Sequence, residues 1–341
     1  MGSKVKVAVA GAGRAGEVHA LNLANRITIA ELTAIIDQDP NLASQLAQKS
    51  GDVRSYKSLT DALKNEELEA VFITTPTYTH CPLTLEAAEK HVHVFCEKPM
   101  ALNLDEADKM IAAARRYDVK LQIGFMRRFD HEIRKVKSQI AEGAIGRPIL
   151  VKSITRGPGL PPPWALDPRT SIGMAAEVNS HDFDTVRWLM DSEVKNVYAE
   201  GDALINPQFK HNYESYHDVF VSLLRFENDG LGIIDGSCPV GYGYDARIEV
   251  LGTEGLIVVG DIEGSTIKIC KSDKKAVKET YPSWRNRFYE AYIAEAESFL
   301  KAIILDTKPE VSGEDGKKSL ELVLATVESM KKHSPVNLPL R

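Results

Sequence analysis

The sequence is short of several things, and each shortage excludes a class of protein. It has only four cysteines in 341 residues, Cys81, Cys96, Cys238 and Cys270, and none forms a CxxC pair. That spacing fits reduced thiols in a cytoplasmic protein and excludes a disulfide framework or a zinc knuckle. It has no basic block, and a net charge of −6 argues against a nucleic-acid surface. No apolar run reaches the length of a membrane span. Met1–Lys4 leads straight into a strand pattern, so no signal peptide is expected. Repeats and low-complexity tracts are missing too. What remains is the composition of a soluble globular protein, at a length that fits two domains.

Residues 1–125 alternate apolar strands with amphipathic helices. Lys4–Gly11, Glu31–Asp37, Leu68–Thr75, His91–Glu97 and Val119–Phe125 are rich in Val and Ile and almost continuously hydrophobic, as strands buried on both faces are. Helical patterns separate them at Ala15–Asn25, Asn41–Lys49, Pro82–Lys90 and Leu104–Arg116. This alternation predicts a doubly wound parallel sheet, a Rossmann-type dinucleotide domain. Residues 126–341 follow another pattern: a helix near Asp130–Glu142, a long strand in RPILVKSITRG, a Pro-rich loop at Gly157–Pro168, and a helix through NSHDFDTVRWLMD. Alternating strands then run from Val194 to Cys270, with a hairpin at Asn228–Gly230, and two helices close the chain. The expectation is an α+β domain with a large, open, mostly antiparallel sheet that binds substrate. One face of such a sheet needs a cover, which predicts a homo-oligomer. The PPPW run is read as a rigid loop able to shape the mouth of a substrate site, in preference to a polyproline ligand.

Gly11, Gly13 and Gly16 form G-x-G-x-x-G between a strand and a helix, the context that pattern requires. Gly11 permits the turn, Gly13 lets the backbone approach a pyrophosphate, and Gly16 lets the helix pack close. The loop and first turn, with Ala12, Arg14 and Ala15, offer N–H groups to phosphate. Asp37 ends the second strand, 21 residues after Gly16, where a carboxylate takes the ribose hydroxyls and repels a 2′-phosphate. NAD is therefore expected over NADP. Thr75, Pro76 and His80 in TTPTYTH lie at the carboxyl edge of the sheet and are assigned to the nicotinamide side.

The run VFCEKPMAL ends a buried strand on Glu97, Lys98 and Pro99. Pro99 holds Lys98 extended, and Glu97 keeps it charged. A lysine there stabilises alkoxide character while a hydride leaves. The hydroxyl proton needs a base, and MAAEVNSHDFDTVRWL offers one. Glu177 and His181 are four apart and are expected on one helix face, with Asp184 near it. A carboxylate partner fixes a histidine's tautomer and raises its basicity. His91, His93 and Cys96 mimic a metal cluster, but strand alternation sends Cys96 to the other side, so no metal is expected.

The fingerprint, TP…H, EKP and the runs GFMRRFD, GYGYDARIEVLGTEG and RNRFYEAYIAEAESF together resemble the glucose–fructose oxidoreductase / inositol dehydrogenase (Gfo/Idh/MocA) family, inositol 2-dehydrogenase branch, over nearly the whole chain. The resemblance implies an NAD-dependent dehydrogenase, tetrameric, that oxidises a secondary hydroxyl of myo- or scyllo-inositol or a related pyranose. It implies that His181 is the general acid/base beside Lys98, with Glu177 where the family usually carries Asp. Arg127, Arg128, Thr155, Asp184 and Tyr242 are then expected on the substrate side. Thr155 and Gly157 stand where the branch often has His and Asn. NAD-using glycosidases and dinucleotide-binding sensors of the same family are the alternatives.

Overall fold

The computed structural model describes residues 4–213 and 215–340. Fifteen strands are described, β1 (Val5–Ala10), β2 (Ala30–Ile36), β3 (Arg54–Tyr56), β4 (Ala70–Ile73), β5 (His93–Glu97), β6 (Leu121–Gly124), β7 (Pro148–Arg156), β8 (Val194–Asp202), β9 (Val219–Phe226), β10 (Leu231–Ser237), β11 (Asp245–Gly252), β12 (Leu256–Val259), β13 (Glu263–Cys270), β14 (Ala276–Thr280) and β15 (Val336–Asn337). The helices are α1 (Arg14–Asn25), α2 (Pro40–Lys49), α3 (Leu59–Asn65), α4 (His80–Glu89), α5 (Leu104–Arg116), α6 (His131–Ala141), α7 (Pro163–Leu166), α8 (Met174–Glu177), α9 (Ser180–Met190), α10 (Trp284–Arg287), α11 (Tyr289–Ile304) and α12 (Gly313–Lys332). Two compact units emerge, one running to Phe129 and including Glu290–Leu320, the other formed by Asp130–Tyr289 and the chain from Glu321.

The first unit carries an all-parallel sheet in the order β3-β2-β1-β4-β5-β6. β4 and β6 are buried at every position, as strands covered on both faces must be. Side-chain caps start several helices: Asp39 accepts from the Asn41 N–H, Ser58 from Asp61, and Asn103 from Glu106. The core joins Val7, Val9, Phe72 and Phe95 to Ala296, Phe299 and Leu300 of α11. Phe72 and Phe95 stack at 4.7 Å, and Phe299 meets Phe72 edge-on at 5.6 Å. Glu290–Leu320, which lies in sequence far beyond residue 125, is thus part of this unit. Ile123 donates its N–H to the Val311 carbonyl at 3.2 Å, and Gln122 bridges to Ser312, so this segment covers the β6 edge.

The second unit carries a seven-stranded sheet, β12-β11-β7-β10-β9-β8-β15. Only the β10–β7 pair is parallel; the rest are antiparallel. The expected hairpin joins β9 to β10, with Asp229 at φ 64° in its turn. Helix α9 packs on β7 and β10. The opposite face stays exposed, and by register it presents Val221, Leu223, Leu231 and Leu251 together. No helix among the described residues is long and apolar enough to cross a membrane.

Candidate active site

The glycine turn follows β1, and its three glycines do three different things. Gly11 sits at φ +106°, and a Cβ there would lie 2.7 Å from the Thr74 carbonyl carbon. A Cβ on Gly16 would fall 1.8 Å from the Gly11 carbonyl oxygen, so the helix approaches the turn as only glycine allows. Around Gly13 a Cβ would meet nothing within 4 Å, so the backbone there faces open space. Gly13 caps α1 without any side-chain bond, leaving the N-terminal N–H groups of the helix to a ligand. Asp37, half-buried at the end of β2, accepts the Ala12 N–H at 2.7 Å and the Asp39 N–H at 2.9 Å. A carboxylate oxygen takes more than one donor, so ribose hydroxyls can still bind. The open cradle, uncapped helix and oriented carboxylate fit a dinucleotide.

Two further turns sit at the carboxyl ends of β4 and β5. Thr74 Oγ1 donates near the first turn, to the carbonyls of Ala10 and Gly11 at 3.0 and 2.9 Å. His80 is buried and ties the turns together, with Nδ1 2.8 Å from the Pro99 carbonyl and Nε2 2.8 Å from that of Thr75. Burial pushes this imidazole below its usual value. Thr79 Oγ1 donates to Thr75 Oγ1 at 2.6 Å. Lys98 is half-buried, and the Lys98–Pro99 peptide is cis. The Lys98 N–H donates to Glu97 Oε2 at 3.1 Å, and Glu97 Oε1 lies 2.9 Å from His19 Nε2. Burial alone would raise the Glu97 carboxyl, but the His19 contact and the Lys98 charge outweigh it and lower it. Sequence reasoning missed His19, although it falls on the buried stripe of α1 with Gly16, Ala20 and Leu23.

After β6 the two arginines differ from surface residues. Arg127 is only 1% exposed, and Arg128 donates to Asp315 Oδ1 at 3.0 Å.

In the second unit the single helix expected through Glu177 and His181 is two helices. The chain breaks at Val178–Asn179, and the N–H groups of Asp182 and Phe183 both return to the Asn179 carbonyl, starting α9 afresh. Glu177 therefore does not share an uninterrupted helix face with His181; its Oε1 accepts the Ser171 hydroxyl at 2.8 Å. The break is held by Asp182, fully buried, which accepts Ser153 Oγ at 2.5 Å, Thr155 Oγ1 at 2.8 Å and Asn179 Nδ2 at 2.9 Å. Thr155 is thus engaged with Asp182. His181 and Asp184 are buried on α9.

Glu177 also lines an apolar pocket with Pro161, Ala165, Met174, Tyr216 and His217. Leu166 and Pro168 of the Pro-rich stretch line this pocket too, and Pro163–Leu166, expected as loop, form the short helix α7. His217, which nothing in the sequence singled out, accepts the Ala175 N–H at Nε2 (3.3 Å) and faces the Ser215 carbonyl with Nδ1 (3.2 Å), the arrangement of a neutral ring. Tyr242 is 41% exposed; its hydroxyl donates to Asp245 Oδ2 at 2.8 Å and lies 3.5 Å from Arg156. Of the apparent metal cluster, His91 lies in a turn at φ 57° instead of the strand and contacts the Tyr117 carbonyl, while His93 Nδ1 accepts the Lys120 N–H.

Comparison with known proteins gives these observations a context. Residues 5–125 match the Gfo/Idh/MocA model described as "Oxidoreductase family, NAD-binding Rossmann fold", and residues 137–338 match that family's C-terminal alpha/beta domain. The chain is 35% identical to the myo-inositol 2-dehydrogenase of Thermotoga maritima, over 98% of each chain. It is 33% identical to the scyllo-inositol 2-dehydrogenase (NAD(+)) of Bacillus subtilis, over 100% of this chain and 98% of the other. The crystal structure of scyllo-inositol dehydrogenase from Lactobacillus casei with bound NAD(H) and scyllo-inositol matches with a TM-score of 0.90 at 25% identity, covering 98% of this chain and 99% of that one.

Proposed function

This chain belongs to the Gfo/Idh/MocA family of NAD-binding oxidoreductases, and we propose that it oxidises a secondary hydroxyl of a cyclic polyol, an inositol or a related pyranose, to the ketone. The observation that carries the reading is full-length similarity to relatives named inositol 2-dehydrogenases in a chain that keeps both Lys98 and His181. The enzyme works in the cytoplasm as a homo-oligomer, a tetramer by family resemblance; the exposed apolar strand face of the second unit supports self-association.

In this reading the Gly11–Gly16 turn and α1 hold the pyrophosphate, and Asp37 holds the adenosine ribose. Thr75, Pro76 and His80 shape the nicotinamide side. Bound NAD supplies the hydride acceptor. His181 takes the hydroxyl proton as the carbon–hydrogen bond breaks, and the Lys98 ammonium donates to the oxygen while it carries negative character. The electron pair of the O–H bond becomes the second bond of the carbonyl. Glu177, Asp184, Arg127 and Tyr242 meet the remaining hydroxyls. The longer Glu177 in place of Asp selects a different hydroxyl pattern from that of relatives with Asp.

The test is NADH formation at alkaline pH across a panel of inositols, aldoses and uronates, each with NAD and NADP. Strong NAD-linked turnover on one polyol is expected. Lys98→Ala and His181→Ala should each lower kcat by about 10²–10⁴-fold, with NAD affinity nearly unchanged. Full turnover in both variants sinks the mechanism. NAD binding without net NADH on any substrate points to the glycosidase or sensor alternative.

A further inference from the structure

One arrangement in the first unit has no part in the chemistry above. Glu295 of α11 is wholly buried, and neither of its carboxylate oxygens has a hydrogen-bond partner. Atoms of Glu295, His19 and Glu97 able to bind a proton lie within 4.8 Å of one another. His19 spends Nε2 on Glu97 Oε1, and its Nδ1 has no partner. The surroundings are aromatic: the rings of Phe72, Phe95 and Tyr292 stand 5.5, 5.0 and 5.5 Å from the imidazole. Gln122 of β6 gives its amide to the Glu295 backbone carbonyl at 3.1 Å, which leaves the carboxylate without a donor.

Two carboxylates this close cannot both be charged in a low-dielectric core. Glu97 holds the charge, because it accepts from His19 and from the Lys98 N–H. Glu295 must then carry a proton, and a buried O–H needs an acceptor. With its Nε2–H facing Glu97, His19 offers an unprotonated Nδ1. We propose that Glu295 is a positioning residue that keeps its proton and offers it, directly or through one buried water, to His19 Nδ1, so that three side chains lock Glu97 and the turn presenting Lys98. Three groups then share two protons and one negative charge.

The electrostatics agree with this count. Burial first, and the Glu97 charge second, push the Glu295 carboxyl well above its usual range. The titratable groups beside it are His19 from α1 and Glu97 at the end of β5; Lys98 follows Glu97 in the next turn, Tyr292 of α11 packs on the His19 ring, and the neutral Gln122 of β6 holds the Glu295 backbone carbonyl. The last link rests on the catalytic reading of Lys98; the proton on Glu295 does not.

The experiment compares the full-length wild type with Glu295→Gln and Glu295→Leu, and uses Lys98→Ala as control. Infrared spectra of the wild type at neutral pH should show the carbonyl stretch of a protonated carboxylic acid, absent from Glu295→Gln and retained in Lys98→Ala. A glutamine can still donate to Nδ1, so Glu295→Gln should keep kcat within about threefold and leave the pH profile intact. Glu295→Leu should lose about tenfold to a hundredfold in kcat with KM little changed, as an ångström-scale displacement of a reacting group costs. A missing acid band overturns the proposal even if Glu295→Leu fails to fold. So does a Glu295→Gln variant as impaired as Glu295→Leu, or a stoichiometric divalent cation in the wild type that Glu295→Gln lacks. If Lys98→Ala keeps full turnover while the band persists, the lysine reading fails and the buried proton stands.

Discussion

Asp182 and Glu295 are both shut off from water, at 0% exposure, and are furnished in opposite ways. Asp182 receives Ser153, Thr155 and Asn179 as donors. Glu295 receives none, and its nearest ionisable neighbours are another carboxylate and an imidazole already in use. A carboxylate with three donors fastens the backbone around it. Here that backbone is the break from which α9 starts, one residue from His181. A carboxylate without donors has to carry its proton inside. Burial alone therefore says little about what an acidic residue does; the supply of donors separates a fastener from a proton carrier.

The contrast can be broken most directly at Asp182. Asp182→Leu leaves three donors without an acceptor, at about 1–3 kcal/mol each. The expected loss of unfolding free energy in urea is at least about 3 kcal/mol, and a loss near zero would deny Asp182 its fastening role. Thr155→Val removes one donor, with an expected loss of about 1 kcal/mol and an unchanged KM. A raised KM at unchanged stability would place Thr155 on the substrate side.

Glu295→Gln has the smallest expected effect on turnover, while its effect on stability grows with pH. In the wild type the folded chain keeps this proton above the usual carboxylate range while the unfolded chain loses it. The native state then binds more protons, so stability falls as pH rises from that range toward the raised folded value, by up to about 1.4 kcal/mol per pH unit. Glutamine abolishes that slope. Thermal midpoints of the two proteins should diverge in the variant's favour from mildly acidic to alkaline pH, and parallel curves would contradict a buried proton.

Much of the first unit was legible because its signals are local. The three glycines, the strand before them and Asp37 lie within one strand–helix–strand unit, and the chain forms the strand–turn–helix there that their spacing predicts. The edge strand β3 was missed, since three residues that are mostly exposed carry no periodic signal, and so was the short α3, which buries only Leu59 and Ala62. Helical spacing misled at Glu177 and His181, where Asn179 starts a new helix and its side chain binds Asp182. Glu295 was invisible as a partner of Glu97 because α11 reaches it from far along the chain. A signal was present: Glu295 occupies the apolar stripe of α11 with Ala291, Tyr292, Ala296 and Phe299, where an acid is out of place.

That stripe also bears on how the protein is made. The first unit closes its core with Phe299 and Leu300, and these follow residues 130–289 out of the ribosome. At about 5–20 residues per second, the six-stranded sheet waits on the order of ten seconds with Phe72 and Phe95 uncovered. Nascent chains stalled before Glu290 should leave this unit open to protease, whereas chains released in full should protect it. A chain that stops before Glu290 thus lacks both the Phe299–Leu300 layer of its core and the buried Glu295.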